Sequence, residues 1–357
     1  MRKNVANIKD VAAAAGVSIS TVSRVLNHSG NVDDGLQARV KRAVRDTGYS
    51  ANPLASSLKS ARRNQIAIVI PTLRRNYYTD IIKGVSEFFY EKEIIPVILE
   101  SDGVFEKERE LIASLEKQWV DGIILIPGQY EAGEEYERYA DSLSGLTKSG
   151  TGIPVVLVEA PRMNPKLDVV RADHETAFYA MAEHLLEIGR RRIAYLGNAK
   201  DAPLYPFATR GVEQAFAAYG LTLEQRYVKN NNYTVLEGYR SMKELLDEGL
   251  SVDGVLCVND QVAAGALSAC LEHGISVPQE TAVVGFEGTA LSIVTSPSIT
   301  TMIVPRFEIG EAAAKLLHQR MEGEESGPKE ILLRVHLAIR ASTMNSAGKA
   351  LDVMFSE

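Results

Sequence analysis

The run Ile8-Lys9-Asp10-Val11-Ala12-Ala13-Ala14-Ala15-Gly16-Val17-Ser18-Ile19-Ser20-Thr21-Val22-Ser23-Arg24-Val25-Leu26-Asn27 decides how the chain begins to fold. Ile8, Val11, Ala12 and Ala15 fall at i, i+3, i+4 and i+7, one apolar stripe of a helix. Asn7 stands at its cap with Asp10 three residues on, near the positive helix end. Gly16 stops it, as a residue suited to the left-handed turn. Ser18 can cap a second helix, in which Val22, Val25 and Leu26 face inward while Ser20, Ser23 and Arg24 face out. Residues 31–33 offer a third start, and Leu36, Val40, Ala43 and Val44 make a stripe that ends near Gly48. Two short helices joined by a glycine turn and backed by a third read as a helix-turn-helix. A plain three-helix bundle would have the same pattern, so charge has to choose between them.

Charge favours nucleic acid. Residues 1–63 hold 11 Lys and Arg against 4 acids, whereas the rest of the chain holds 28 against 42. A basic head on an acidic body is the electrostatic footprint of a nucleic-acid-binding module joined to something else. At 357 residues the chain is about twice a usual domain, so two or three domains are expected. A composition 45% hydrophobic and 24% charged excludes a disordered chain, a collagen-like fibre and a disulfide scaffold. The longest apolar runs, such as 66–71 and 152–158, fall far short of a membrane span, and none follows Arg2 and Lys3 as in a secretory signal. Cys257 and Cys270 suit a reduced compartment, so the expected address is the cytoplasm, with no membrane partner.

After the head comes Asn52-Pro53-Leu54-Ala55-Ser56-Ser57-Leu58-Lys59. Asn at a cap followed by Pro at the first helical position is a helix start. A helix of about seven residues is marginal in water on its own. Leu58 in this basic segment can serve as a minor-groove wedge, or the segment can be a bare linker.

These motifs resemble the headpiece of the lactose/galactose repressor (LacI/GalR) family, and Tyr49, Asn52, Leu54, Ala55 and Leu58 match its hinge pattern. The resemblance runs to about residue 343. It implies that the second helix enters the major groove with Ile19, Ser20 and Arg24 at base-reading positions. Arg24 can grip a guanine through two bonds, and Ile19 can touch a thymine methyl. Ser18, Thr21, Ser23 and Asn27 are then phosphate contacts. In the family a pair of hinge helices folds on the operator, and the leucine matching Leu58 unstacks the central step. Ser56 stands where an arginine is frequent.

From Gln65 onward, strand-like runs (66–70, 95–99, 122–126, 154–158, 169–171, 193–196, 254–258, 282–286, 301–304, 331–339) alternate with helical stretches (80–92, 106–118, 175–187, 210–219, 235–247, 260–273, 307–321). Such alternation argues an α/β body of parallel sheets covered on both faces. About 280 residues is large for one such layer, so two lobes with a cleft are expected. The resemblance implies a core like the periplasmic solute-binding proteins, with the chain crossing between lobes three times. The expected organisation is therefore an all-α helix-turn-helix headpiece over 1–51, a hinge over 52–64, a two-lobed core over 65–345 and a short tail over 346–357. One lobe would take about 65–167 and 299–327, the other about 168–298 and 328–345. The tail holds no heptad pattern, so no tetramerising coiled coil is expected.

Ligands in open α/β sheets bind at strand carboxyl ends, which directs attention to particular residues. Tyr77-Tyr78 follows the first strand and matches the family's effector-packing aromatic pair, although two tyrosines starting a helix also suit a surface or a core. Asn259-Asp260, with Ala263 and Gly265, matches the family's signature at the end of a core strand. Asn259 can donate and accept, and Asp260 can cap the helix that follows. Glu159 ends a strand where the family commonly has Asp, Tyr233 falls where an aromatic lines the cleft, and Glu287 closes Gly285-Phe286-Glu287. Two positions depart from the family. Its effector-gripping arginine lies three residues before the glycine matching Gly211, a position occupied here by Ala208, with Arg210 nearby. The acid pair after Gly-Phe is reduced to Glu287-Gly288. An ordinary hexose is thereby put in question, and the effector class stays open. Arg74 and Arg75 at the cleft mouth could attract a phosphate or carboxylate, or stand as solvated surface groups.

No phosphate-binding glycine loop, HExxH or CxxC occurs, and the six histidines lack metal-ligand spacing. No enzyme activity, catalytic residue, metal or cofactor is expected, and His174-Glu175 reads as a helix start. The expected protein is a homodimeric, ligand-responsive transcriptional regulator. It would repress from a pseudo-palindromic double-stranded operator and take a small polar effector, a sugar or sugar derivative, in its cleft. Two alternatives are a regulator whose degenerate cleft is unliganded or answers to a protein partner, and a solute receptor with a vestigial DNA-binding head.

Overall fold

A computed structural model describes residues 6–26, 32–49, 63–118, 120–129, 134–148, 152–162, 164–197, 204–230, 232–324 and 326–344. The chain divides into two compact units, Met1–Arg63 and Asn64–Glu357. In the first, α1 (Ile8–Ala15), α2 (Ile19–Leu26) and α3 (Asp34–Thr47) follow the stripes of the sequence. Asn7 Oδ1 accepts from the Lys9 N–H at 2.8 Å and the Asp10 N–H at 3.3 Å, while Asp10 Oδ2 accepts from the Asn7 N–H at 2.8 Å. This reciprocal cap satisfies donors that the first turn leaves orphaned. Gly16, at φ 62°, ends α1. Arg39 donates to the Ala15 carbonyl at 2.7 Å and so ties α3 to the end of α1. Val11, Ala12, Ala15, Val22, Val25, Val40 and Ala43 close into one small core. Asn27, Leu58 and most of the expected 52–64 hinge lie outside the described residues.

In the second unit the strands of the first half are β1 (Gln65–Ile70), β2 (Ile95–Glu100), β3 (Gly122–Leu125), β4 (Val155–Val158), β5 (Asp168–Ala172) and β6 (Ile193–Leu196). Those of the second half are β7 (Val228–Lys229), β8 (Gly254–Cys257), β9 (Ala282–Glu287), β10 (Thr300–Ile303), β11 (Glu330–Leu333) and β12 (His336–Ala338). They pair into two sheets of the same design, β11-β5-β4-β3-β1-β2 and β12-β10-β9-β8-β6-β7. All pairs are parallel except β10 with β12, so the second sheet has one antiparallel edge. The helices are α4 (Asn76–Tyr90), α5 (Phe105–Gln118), α6 (Glu134–Lys148), α7 (His174–Glu187), α8 (Tyr205–Ala218), α9 (Val235–Asp247), α10 (Asp260–Glu272), α11 (Leu291–Val294) and α12 (Arg306–Met321). None among the described residues is long and apolar enough to cross a membrane. The body is the expected pair of α/β lobes. Sequence reading missed α6, whose run of acids hides a stripe of Tyr136, Tyr139, Ala140 and Leu143 that is buried against the first sheet.

The lobe boundaries differ from expectation. β5 lies in the first sheet and the chain crosses at Asp173, not at 167. β10 lies in the second sheet, and the return crossing falls at Val304-Pro305, just before α12 packs on the first lobe. The stretch 331–339, read as one strand, is two: β11 pairs with β5 in the first sheet and β12 with β10 in the second, with Arg334-Val335 between. Its alternation of apolar residues continues through the crossing, so periodicity alone cannot mark the change of sheet.

Three helix pairs pack through glycine. An added Cβ at Gly265 of α10 would fall well inside contact with the Val235 carbonyl of α9, and one at Gly238 with the Val262 carbonyl in return. Gly84 and Gly310 relate α4 and α12 in the same way, and Gly211 brings α8 against Glu175 of α7. The backbones touch, so no side chain can yield. Gly265→Ala is expected to cost ~1–3 kcal/mol or more and to lower the thermal unfolding midpoint accordingly; an unchanged midpoint would contradict the close approach.

Candidate functional site

Both sheets run in the order 2-1-3-4-5, so each has a switch point where neighbouring connections leave toward opposite faces. The loops at those carboxyl ends face each other across a cavity of about 370 Å³. Pro71 and Thr72 reach it after β1, Ile126 to Gln129 after β3, Glu159 after β4, Gly197 after β6 and Val258 after β8, while Phe286 and Glu287 end β9. Of the residues singled out in the sequence, Tyr77, Tyr78, Glu159, Tyr233 and Glu287 all line this space.

Two acids define its chemistry. Glu159 is buried, and its Oε2 accepts from the Tyr77 hydroxyl and lies 2.7 Å from His174 Nε2. Its Oε1 accepts from the Ala172 N–H at 2.7 Å. Burial pushes its acid strength down, but His174, Tyr77 and that backbone N–H more than reverse the effect, so its carboxyl stays below the usual range. Glu287, in the other lobe, accepts from Arg75, while Arg306 donates to the Glu287 carbonyl. Burial wins there, and its carboxyl is pushed up despite Arg75 and Arg306. Both acids have left-handed backbones, φ 52° at Glu159 and 102° at Glu287, a conformation that costs on the order of 1 kcal/mol for a residue with a side chain.

Tyr77 and Tyr78 are both buried, with rings edge to face at 5.6 Å. Together with Tyr233 they surround the Arg75 guanidinium, at 5.7, 5.3 and 5.0 Å from the three ring centres. Behind them Phe178 stacks on Phe286 at 5.0 Å, with His174 5.4 Å from Phe286 and Tyr195 6.2 Å from Phe178.

Two expected contacts fall elsewhere. Arg210 does not line the cavity; it donates to Glu175 Oε2 at 2.8 and 3.0 Å on the lobe surface. Two residues turn a helix by about 200°, so it faces away from the position of Ala208, which does line the space. Asn259 is also off the lining. Its Oδ1 caps α10 by accepting from the Val262 N–H at 2.8 Å, and its Nδ2 donates to the Tyr233 carbonyl at 3.1 Å. Asn259 therefore holds the loop that carries Tyr233. Asp260, wholly buried, accepts from Thr301 and Thr289 and fixes the turn that follows Glu287. Of the arginine pair, Arg75 enters the cavity and Arg74 stays exposed. His174 opens α7 as the sequence predicts but also lines the cavity, which its pattern does not signal, and so does Tyr195, whose place inside the apolar strand Ile193–Leu196 gives no polar signal. Among the described residues no group of three His, Cys, Asp or Glu could hold a metal.

In the head, α2 turns Ser18, Ile19, Ser20 and Arg24 to its exposed side, with Thr21 and Ser23 half-buried and Val22 and Val25 beneath. Ser18 Oγ accepts from the Thr21 N–H at 3.1 Å and lies 2.7 and 2.8 Å from the Ser20 and Thr21 hydroxyls, so capping and outer face share one hydroxyl cluster.

The cavity loop after β3 rests on Glu108 of α5, which accepts from the Gly128 N–H at 3.2 Å and the Tyr139 hydroxyl at 3.0 Å. Burial raises its pKa from 4.5 to about 7. Between those values the folded state holds a proton that the unfolded chain has released, so stability falls as pH rises through the window. Glu108→Gln removes this dependence. Calorimetry near pH 5 and pH 8 should find the variant gaining on the wild type at the higher pH, and an equal gap at both would refute the assignment.

A family model described as bacterial regulatory proteins, lacI family, matches residues 7–52, and one described as a periplasmic binding protein-like domain matches residues 182–343. The HTH-type transcriptional regulator RegA of Clostridium saccharobutylicum is 30% identical over 342 residues, spanning 95% of this chain and 99% of the relative. Among solved structures, the transcriptional regulator CelR-cellobiose complex aligns with a TM-score of 0.70 and 27% identity, over 94% of this chain and 99% of that one. The lac repressor dimer bound to operator and the anti-inducer ONPF aligns with a TM-score of 0.85 over 96% of this chain and 100% of that one; at 23% identity it speaks for the fold alone.

Proposed function

The chain belongs to the lacI family of bacterial regulatory proteins, and on that premise we propose that it represses transcription as a homodimer on a pseudo-palindromic operator, with a small polar effector in the interlobe cleft. The observation that carries the DNA-binding part is the outer face of α2. Ser18, Ser20 and Arg24 are exposed there over a packed Val22 and Val25, in a head with 11 basic residues against 4 acids. Ile19, Ser20 and Arg24 read base edges, and Ser18, Thr21, Ser23 and Asn27 position the phosphates. Leu58 is the minor-groove wedge; it and Asn27 enter on the family resemblance alone.

Dimerisation has support in β2, an edge strand with Ile95, Val97 and Ile98 60%, 37% and 41% exposed. An unpaired apolar edge is a surface for association, and two heads can then occupy successive major grooves. The working address is the cytoplasm, where DNA is accessible, and no catalytic role is assigned to the cleft.

The effector is a sugar or sugar derivative held by Tyr77, Tyr78, Glu159, Tyr233 and Glu287, with Asn259 supporting Tyr233. Carboxylates beside aromatic faces suit hydroxyls and the apolar side of a sugar ring. The cellobiose complex of CelR is a relative consistent with that class. Binding shifts the lobe angle and with it the spacing of the two hinges, so that effector and operator favour different populations.

Arg24→Ala is expected to cost ~1–3 kcal/mol of operator affinity and to relax one base position, measured by salt-controlled gel shift on selected DNA. Leu58→Ala should reduce the bend and leave half-site preference unchanged; wild-type binding by both variants would remove the DNA-binding reading. In a thermal-shift panel of neutral sugars and polyols, a true effector at a hundredfold excess over its Kd stabilises the fold by ~2.7 kcal/mol. That shift should disappear with Glu159→Ala. A panel without any shift would count against the effector reading.

A further inference from the structure

We propose that the cleft selects uncharged polyhydroxyl ligands over their carboxylate and phosphate derivatives, because Arg75 is already held across the lobes by Glu287, and that His174 and Tyr195 form the deep subsite for a ligand hydroxyl. The proposal rests on the reading of the cleft as an effector site and narrows it to a chemical class.

Arg75 is the one Lys or Arg lining the cavity among the described residues, against Glu159, Glu287 and Asp102. It comes from the first lobe, at the start of α4, and Glu287 comes from the end of β9 in the second. Arg306 reinforces the pair by donating to the Glu287 carbonyl and bonding Asp80 at 2.9 Å. Asp102 at the mouth is paired with Lys107 at 2.5 Å. An anionic ligand that draws Arg75 away from Glu287 leaves a buried carboxylate without a counter-ion beside a second one, Glu159, and one that uses the remaining guanidinium N–H groups meets a charge that Glu287 already neutralises. Breaking a buried pair from one side is strongly unfavourable, whereas a neutral ligand leaves it intact. The position from which a second arginine could serve an anion is Ala208.

The deep wall offers neutral partners. His174 and Tyr195 line the cavity, and His174 Nδ1 and the Tyr195 hydroxyl are buried with no hydrogen-bond partner among the described residues. Buried polar groups in native proteins are nearly always satisfied, and a ligand supplies what the protein does not. Because His174 Nε2 is engaged with Glu159, Nδ1 is the ring atom left for a ligand. Both groups border the Phe178–Phe286 stack, so a ring can lie on that apolar face with a hydroxyl at its edge.

The test measures thermal unfolding of the full chain with inorganic phosphate, gluconate and glucuronate as probes, and sodium chloride matched for ionic strength. The wild type is expected to show no shift beyond the salt control. Glu287→Gln keeps the shape and the bond to Arg75 but frees the positive charge, and its affinity for the same anions should rise at least about tenfold, with the gain lost in Glu287→Gln/Arg75→Gln. Stabilisation of the wild type by an anion, abolished by Arg75→Gln, overturns the charge argument. So does a Glu287→Gln variant that is folded by circular dichroism yet indifferent to anions. If that variant does not fold, the wild-type and Arg75→Gln arms still decide. For any neutral ligand that binds, Tyr195→Phe should weaken affinity about tenfold without lowering the unfolding midpoint of the free protein; unchanged affinity overturns the subsite. These arms read the pair and the subsite directly, whereas failure of the neutral panel alone would fall on the effector reading.

Discussion

A carboxylate can stay ionised at the bottom of a protein cleft only if several donors converge on it, and Glu159 meets that condition with groups from three elements. Tyr77 reaches it from α4, the Ala172 N–H from the end of β5, and His174 from the start of α7. The last two flank Asp173, where the chain first passes from one lobe to the other. Satisfying one buried charge therefore also fixes the orientation of a crossing, the start of a helix and an aromatic wall. Glu287 answers from the opposite side with its carboxylate on Arg75 and its backbone carbonyl on Arg306, one arginine before α4 and the other opening α12, and with fewer donors on it that carboxyl is pushed up by burial. The two lobes are joined across the cleft by hydrogen-bonded charge as well as by backbone.

Much of this is legible in the sequence. Period-3.6 stripes gave α1 to α3 with their caps, because capping chemistry is local and Asn7, Asp10 and Gly16 have few other uses in that pattern. The buried parallel strands were visible as short apolar runs. α6 was not, since its buried tyrosines sit among acids and only the tertiary face reveals which side is inward. The split of β11 from β12 was hidden for a different reason: a strand that changes sheets keeps its period.

The candidate site was half legible. Strand-end position together with the family resemblance points to Tyr77, Tyr78, Glu159 and Glu287, because topology restricts where a parallel sheet can present side chains. It could not tell a residue that faces the cavity from one that supports the wall. Asn259 sits at the expected strand end, yet the Val262 N–H at the opening of α10 and the Tyr233 carbonyl claim it. Arg75 carries the reverse lesson. An arginine after a strand usually extends into water, and only a carboxylate more than two hundred residues away, with three tyrosine rings, turns it inward. Tyr195 left no trace in the sequence because a tyrosine within an apolar strand looks like any other core residue.

The edge strands β11 and β12 are separated by only Arg334 and Val335, and each completes a different sheet. Neither lobe is consequently a contiguous stretch of the gene, and no single cut yields one intact lobe. A premature stop before codon 330 would strip an edge from both sheets at once and expose β5 and β10 together. Selection against truncation should therefore act on the last part of this reading frame as strongly as on the sheet centres. Recombination that exchanges one lobe between relatives would have to move at least two separate gene segments in concert.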